Sequence, residues 1–188
     1  DYQEAINLYT RAININSKNF LTFYNRGIAF ENARQFDEAL NDYNQVIKEN
    51  SLFEPALFNK CGIFIKTNKI EEALNLINHL LAIDKENINY IIKKAFIYEQ
   101  VKNYDLAIDC YNQALLTNPN SEEAKAKKGY YLLKNNQFQE GWILYENRWW
   151  DKVKLQTNKP EVINFDGKNK KIKKMIKNSD ISLLLLAS

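Results

Sequence analysis

Small and large apolar residues return along this chain on a fixed step of 34 positions. Ala5, Ala39, Ala73 and Ala107 keep that step, and Gly141 continues it. Three positions before each stand Tyr2, Phe36, Ile70, Tyr104 and Phe138; four after each stand Tyr9, Tyr43, Ile77, Tyr111 and Tyr145. A second series runs in the same register. Its small members are Gly27, Cys61, Ala95 and Gly129. Phe23, Leu57, Ile91 and Lys125 precede them by four, and Phe30, Phe64, Tyr98 and Leu132 follow by three. Offsets of three and four are neighbours on a helix, whereas a strand would alternate. The pattern predicts paired helices whose small side chains let the backbones approach while the large ones fill the flanking grooves. One such pair cannot bury its own apolar face, so the units must stack, and about three or more are needed.

Polar clusters mark the ends of the predicted helices. Asn32-Ala33-Arg34-Gln35, Thr67-Asn68-Lys69 and Asn135-Asn136-Gln137 read as turns inside a unit. Asn16-Ser17-Lys18-Asn19 and Asn118-Pro119-Asn120-Ser121 read as joins between units. Ser121 is a suitable N-cap, and Glu122 and Glu123 suit the positive end of the following helix. These signals divide 1–150 into a half repeat, 1–17, and repeats at 20–53, 54–87, 88–121 and 122–150. The remainder, 151–188, has no repeat register and reads as a basic linker or the start of a further domain.

Composition narrows the chemistry. The chain has 188 residues, 45% hydrophobic and 26% charged, with only five Gly and three Pro, which disfavours a turn-rich β fold. Its net charge is +3, but nine Lys against four acids from Asp151 onward leave the first 150 residues at −2. Such a body does not suggest a nucleic-acid face. Cys61 and Cys110 sit at helix positions without a Cys-x-x-Cys pair, and the one His, His79, has no ligand partners at metal spacing. No cofactor, metal or catalytic residue is expected, and packing thiols point to a reducing, cytoplasmic setting. The longest apolar stretch, Ile181 to Ala187, is far too short for a membrane span.

The repeat resembles the tetratricopeptide family, whose 34-residue pattern runs aromatic, Leu-Gly, Tyr, Ala-x-x-x-Phe, Pro. Repeat two reads Phe23, Arg26-Gly27, Phe30, Ala39, Tyr43; repeat four reads Ile91, Lys94-Ala95, Tyr98, Ala107, Tyr111, Ala114, Pro119. A basic residue replaces the family's Leu each time, at Arg26, Lys60, Lys94 and Lys128. The resemblance implies an all-α, right-handed superhelical solenoid of antiparallel helix pairs that holds a protein or peptide segment in a concave groove. A narrower resemblance joins 138–149, Lys159-Pro160, Phe165-Asp166-Gly167 and the Lys168–Lys177 run to bacterial proteins in which such repeats precede a glycosyltransferase domain. It implies a partner domain rather than an activity of these residues.

Helical spacing selects the side chains that would face the groove, at three before, two before and one after each small position of the first helices. They are Tyr24, Asn25 and Ile28; Phe58, Asn59 and Gly62; Ile92, Lys93 and Phe96; and Ala126, Lys127 and Tyr130. An amide can donate to and accept from a peptide backbone together, so Asn25 and Asn59 are candidate peptide contacts. Asn is also simply abundant here. The aromatics Tyr24, Phe58, Phe96 and Tyr130 fit either binding anchors or packing between repeats. The line Arg26, Lys60, Lys94, Lys128 fits an acidic partner less well than stems packed on neighbours with charges reaching solvent. The expected function is peptide or protein binding. The alternative is the substrate-recognition arm of a glycosyltransferase whose catalytic domain lies outside this chain.

Overall fold

The computed structural model describes the backbone of residues 1–153 and the side chains of 1–145. Among the described residues every regular element is an α-helix: α1 (Tyr2–Ile15), α2 (Phe20–Asn32), α3 (Phe36–Glu49), α4 (Glu54–Lys66), α5 (Ile70–Ile83), α6 (Ile88–Gln100), α7 (Tyr104–Thr117), α8 (Glu122–Lys134) and α9 (Phe138–Val153). The all-α array of helix pairs expected from the periodicity is what the chain forms. It divides into two compact units, Asp1–Ser121 and Glu122–Ser188. The first three residues of the expected linker, 151–153, continue the backbone of α9; the rest of it, with the Lys168–Lys177 run and the Ile181–Ala187 stretch, lies outside the described residues.

The turns inside the repeats share one geometry. Arg34, Asn68, Lys102 and Asn136 all have positive φ, near 60°, and they stand 34 apart. In each, the next residue's N–H bonds back to the carbonyl five residues earlier, as in Gln35 to Phe30 and Lys69 to Phe64. The positive-φ residue itself donates to the carbonyl three back, as in Lys102 to Glu99. This is a Schellman C-cap, which satisfies carbonyls that the helix end leaves open. The joins between repeats in the first unit use a second device. Asn16, Asn50, Asp84 and Asn118 each accept, through the side-chain oxygen, from the N–H two residues on. Part of the abundant Asn therefore has a job in fixed register: it closes the chain after each second helix. Asn19, Asn87 and Asn103 cap α2, α6 and α7.

In the first unit α2 packs on α3, α4 on α5 and α6 on α7, while α1 meets α2, α3 meets α4 and α5 meets α6. The small positions lie at these contacts. Ala39, Ala73, Ala107, Cys61 and Ala95 are 0% exposed. Tyr43, Ile77 and Tyr111, four residues after the alanines, are completely buried as well. Gly27 shows why size matters, since a Cβ there would stand 2.7 Å from Tyr43 Cε1. In the second unit α8 and α9 approach backbone to backbone. A Cβ on Gly129 would lie 2.9 Å from the Tyr145 nitrogen, and one on Gly141 2.9 Å from the Leu133 nitrogen. The α9 residues Phe138, Trp142 and Tyr145 are half-buried, in keeping with one helix stripe.

The basic line packs its stems as expected, but three of its heads also find acceptors on neighbouring helices, the Arg26 one part-buried and the Lys60 and Lys128 ones at the solvent boundary. Arg26 grips Asp42 of α3 with two bonds, Nε to Oδ2 at 2.8 Å and Nη2 to Oδ1 at 2.7 Å, and donates from Nη1 to Thr10 of α1 at 3.1 Å. Lys60 donates to Asn44 of α3 at 2.7 Å, and in the second unit Lys128 pairs with Glu140 at 2.6 Å. These heads tie a first helix to a neighbouring second helix. A stem long enough to cover a neighbour is also long enough to reach that neighbour's acceptors, and a charge held at the contact needs one. Lys94 is half-buried, and its charge partly offsets the burial that raises the Cys110 thiol.

Candidate functional site

The first helices α2, α4 and α6 present a common face in the first unit. Contacts between them recur at separations slightly above one repeat. Asn59 Nδ2 donates to the Tyr24 hydroxyl at 3.3 Å, Lys66 Nζ pairs with Glu31 at 2.7 Å, and the Tyr90 hydroxyl donates to Glu54. Each link spans 35 or 36 residues, so each first helix meets the next with an offset of one or two positions.

Two polar knots form on this face. Around Glu31, the Tyr43 hydroxyl donates to Oε2 at 2.9 Å while Lys66 holds Oε1. Asn59 closes the knot, donating also to the Tyr43 oxygen at 3.4 Å. Burial, then the Glu31 charge, push the Tyr43 phenol far above its ordinary value. The arrangement returns two repeats later, where the Tyr111 hydroxyl donates to Glu99. Glu31 and Lys66 were not among the residues selected from sequence. The available signal was that a Tyr twelve positions after a Glu occurs twice in register, at 31/43 and 99/111.

Beyond the first knot stands Lys93. Its ammonium lies 3.8 Å from the centroid of the Phe58 ring, a close cation–π contact. Gly62 leaves room for it, since a Cβ there would meet only Lys93 Nζ, at 3.7 Å. Among the described residues no carboxylate lies within ion-pair distance of Lys93. Burial lowers its pKa below the usual lysine value. Beneath it, burial pushes the Cys61 thiol up to about 11. Cys61 and Cys110 are free thiols, and both are buried.

The candidate residues thus separate. Asn25 is exposed, whereas Asn59 is engaged with two tyrosines. Tyr24 is half-buried, its ring 5.2 Å from Phe53 and 6.0 Å from Tyr43. Phe58 packs 5.5 Å from Tyr90. Ile28 and Ile92 are half-buried, and Phe96 is 39% exposed. Lys127 and Tyr130 lie on α8 in the second unit, both half-buried, with the Tyr130 ring 4.9 Å from Tyr131. The structure therefore brings Phe58, Asn59, Gly62 and Lys93 together on α4 and α6. His79 is exposed on α5. Among the described residues no group of His, Cys, Asp and Glu could hold a metal ion, and no helix is long and apolar enough to cross a membrane.

Comparison with known proteins agrees with this architecture. The family model described as Psidin, N-terminal TPR repeats region, matches residues 29–141, and a general TPR repeat model matches 1–33. No curated protein matches the chain at a significant level. Among solved structures, MamA from Desulfovibrio magneticus is similar with a TM-score of 0.73 at 13% identity, over 83% of this chain and 88% of that one. A tetratricopeptide repeat protein from Parabacteroides merdae gives 0.72 at 19% identity, over 83% and 62%. YrrB, described as a TPR protein with an unusual peptide-binding site, gives 0.62 at 11% identity, over 80% and 77%. At these identities the likeness concerns the fold.

Proposed function

The chain belongs to the tetratricopeptide repeat family, and from that premise we propose that it is a protein-interaction scaffold whose first unit holds an extended peptide or protein segment along α2, α4 and α6. The observation that carries this reading is Lys93. A half-buried cation held on an aromatic ring is an incomplete ion pair: among the described residues no carboxylate lies at ion-pair distance, and Glu31, whose charge acts on it from further off, is already engaged by Tyr43 and Lys66. A carboxylate of the bound segment completes it, and the part-desolvated setting makes such a charged bond worth more than one in water. Asn25, exposed one repeat before Asn59, is free to contact the segment's backbone. Asn59 serves first to order Tyr24 and Tyr43, so it shapes the face. The peptide-binding site described for YrrB lends support by fold likeness alone.

A peptide-array screen of the full chain, with hits retested in solution, examines the reading. Lys93→Gln should weaken acidic hits about tenfold with helicity unchanged, and Asn25→Ala should weaken them less. Hits that ignore both substitutions would remove this face from consideration. The second reading, an arm of a glycosyltransferase, is supported by the sequence of 138–187. A parent reading frame that continues into an α/β domain with Gly-rich loops would favour it.

A further inference from the structure

Among the described residues no helix precedes α1, which packs on α2. The step of 34 shows what this leaves open. Ala39, Ala73 and Ala107, then Tyr43, Ile77 and Tyr111, then Val46, Leu80 and Ala114 are all 0% exposed. Their counterparts on α1 are Ala5 and Tyr9, which are half-buried, and Ala12, which is exposed. Tyr2, Leu8 and Ile15 stand beside them at 55%, 57% and 88% exposure. On a helix these six residues form one apolar stripe, with Ala5 and Ala12 seven residues apart along it. The residues that α1 does bury, Ile6 and Ile13, lie on another side. The flank of the stripe next to Leu8 and Ile15 carries two charges, Glu4 and Arg11, again seven apart. Both are exposed, and neither has an ion-pair partner among the described residues.

We propose that the occupant of this stripe is a second copy of the chain, with α1 packed antiparallel on the partner's α1 about a two-fold axis near Leu8. An apolar stripe alone would suit many helices; the charges select the copy. In an antiparallel pair, like flanks of the two helices face each other, and charges there set partner and orientation. Glu4 stands four residues before Leu8 and Arg11 three after it, so each Glu4 comes beside the partner's Arg11, twice by symmetry. A parallel pair would turn this flank towards the partner's Tyr9 side and leave both charges unpaired. Ala5 and Ala12 let the two backbones approach, and Leu8 fills the middle of the contact. The contact is one helix of about 21 Å in length. That is the low end of interface sizes, so the dimer is reversible, with a Kd on the order of 10–100 μM. This surface is separate from Lys93 and does not rest on the scaffold reading.

Sedimentation velocity of the full chain over about 5–500 μM, a range that brackets this affinity, should show a monomer passing into a dimer. Leu8→Glu, at an exposed position, should keep the chain monomeric throughout with its helicity unchanged. Glu4→Arg and Arg11→Glu each set two like-charged pairs across the axis, so each alone should weaken the dimer about tenfold. An equimolar mixture of these two variants restores both pairs between unlike chains, and its association should return to that of the unaltered chain. The double variant, Glu4→Arg with Arg11→Glu, should do the same by itself. A chain that stays monomeric over the whole range leaves the stripe to a helix from another source and overturns the proposal. A dimer that persists unchanged in Leu8→Glu places the association elsewhere on the chain and overturns it too. Charge variants that weaken the dimer but are not rescued by mixing overturn the antiparallel pair.

Discussion

Four residues with positive φ recur in register, and none is glycine. For Arg34 and Lys102 the left-handed conformation costs roughly 1–2 kcal/mol, because Cβ crowds the carbonyl. Asn tolerates it better, which suits Asn68 and Asn136. Lys102→Gly should therefore stabilise the first unit by about 1 kcal/mol, part of the relief being offset by the freer unfolded glycine. Asn68→Gly should gain less. Urea denaturation of both variants checks the order. A loss of stability in Lys102→Gly would mean that its side chain contributes something the turn geometry does not reveal.

At the scale of the helix, three glycines distinguish close approach from open space. Gly129 faces backbone of α9, so Gly129→Ala must push the two helices apart. Overpacking of that kind costs roughly 1–3 kcal/mol. Gly27 faces the Tyr43 ring, which hydrogen bonds to Glu31 and Asn59 hold in place, so Gly27→Ala should cost a similar amount. Gly62 meets only the mobile end of Lys93, and Gly62→Ala should gain about 0.5–1 kcal/mol of helix propensity. Chemical denaturation of the three variants tests whether packing or propensity governs each position. Arg26 and Asp42 are joined in the same tight region: Asp42→Ala leaves a half-buried guanidinium unpaired and should cost about 3–5 kcal/mol if the site stays dry, less as water enters.

Across the first unit, burial acts in one direction on weakly acidic groups. Cys61 rises from 9.0 to about 11, Tyr90 from 10.0 to about 12, and Tyr24, Tyr43, Tyr98 and Cys110 also rise. The folded chain keeps these protons to higher pH than the unfolded chain does. Stability is therefore unaffected by them below about pH 9 and falls as pH climbs through 9 to 11 and beyond, because the unfolded state ionises first. The urea midpoint should drop between about pH 8 and pH 10.5, and Cys61→Ala with Tyr90→Phe should lessen the drop. Lys60 and Lys93, whose pKa values burial lowers, act in the opposite sense over the same window, so the lesser drop in the double variant is the comparison that tests burial of these groups; an unchanged drop would contradict it. For the same reason Cys61 should react slowly with thiol reagents at neutral pH, as the thiolate is the reactive form.

Much of this architecture was legible in the residues alone. Small side chains at one helical offset and large ones at another fix which faces must meet, and a period of 34 fixes how often. Ala39, Ala73 and Ala107 had to be buried, because nothing else in the pattern lets two backbones touch. Asn16 and Asn118 marked two of the joins, and Asn50 and Asp84, which close the chain in the same way, stand in the same register though they were not singled out; such local hydrogen bonds depend only on neighbours in sequence. Tertiary structure decided which charges meet. Whether Arg26 reached solvent or Asp42, whether Lys66 found Glu31, and that Lys93 settled on Phe58 all depend on the crossing of the helices and the small offset between repeats. Long flexible side chains have several acceptors within reach, and only the distance between helices selects one.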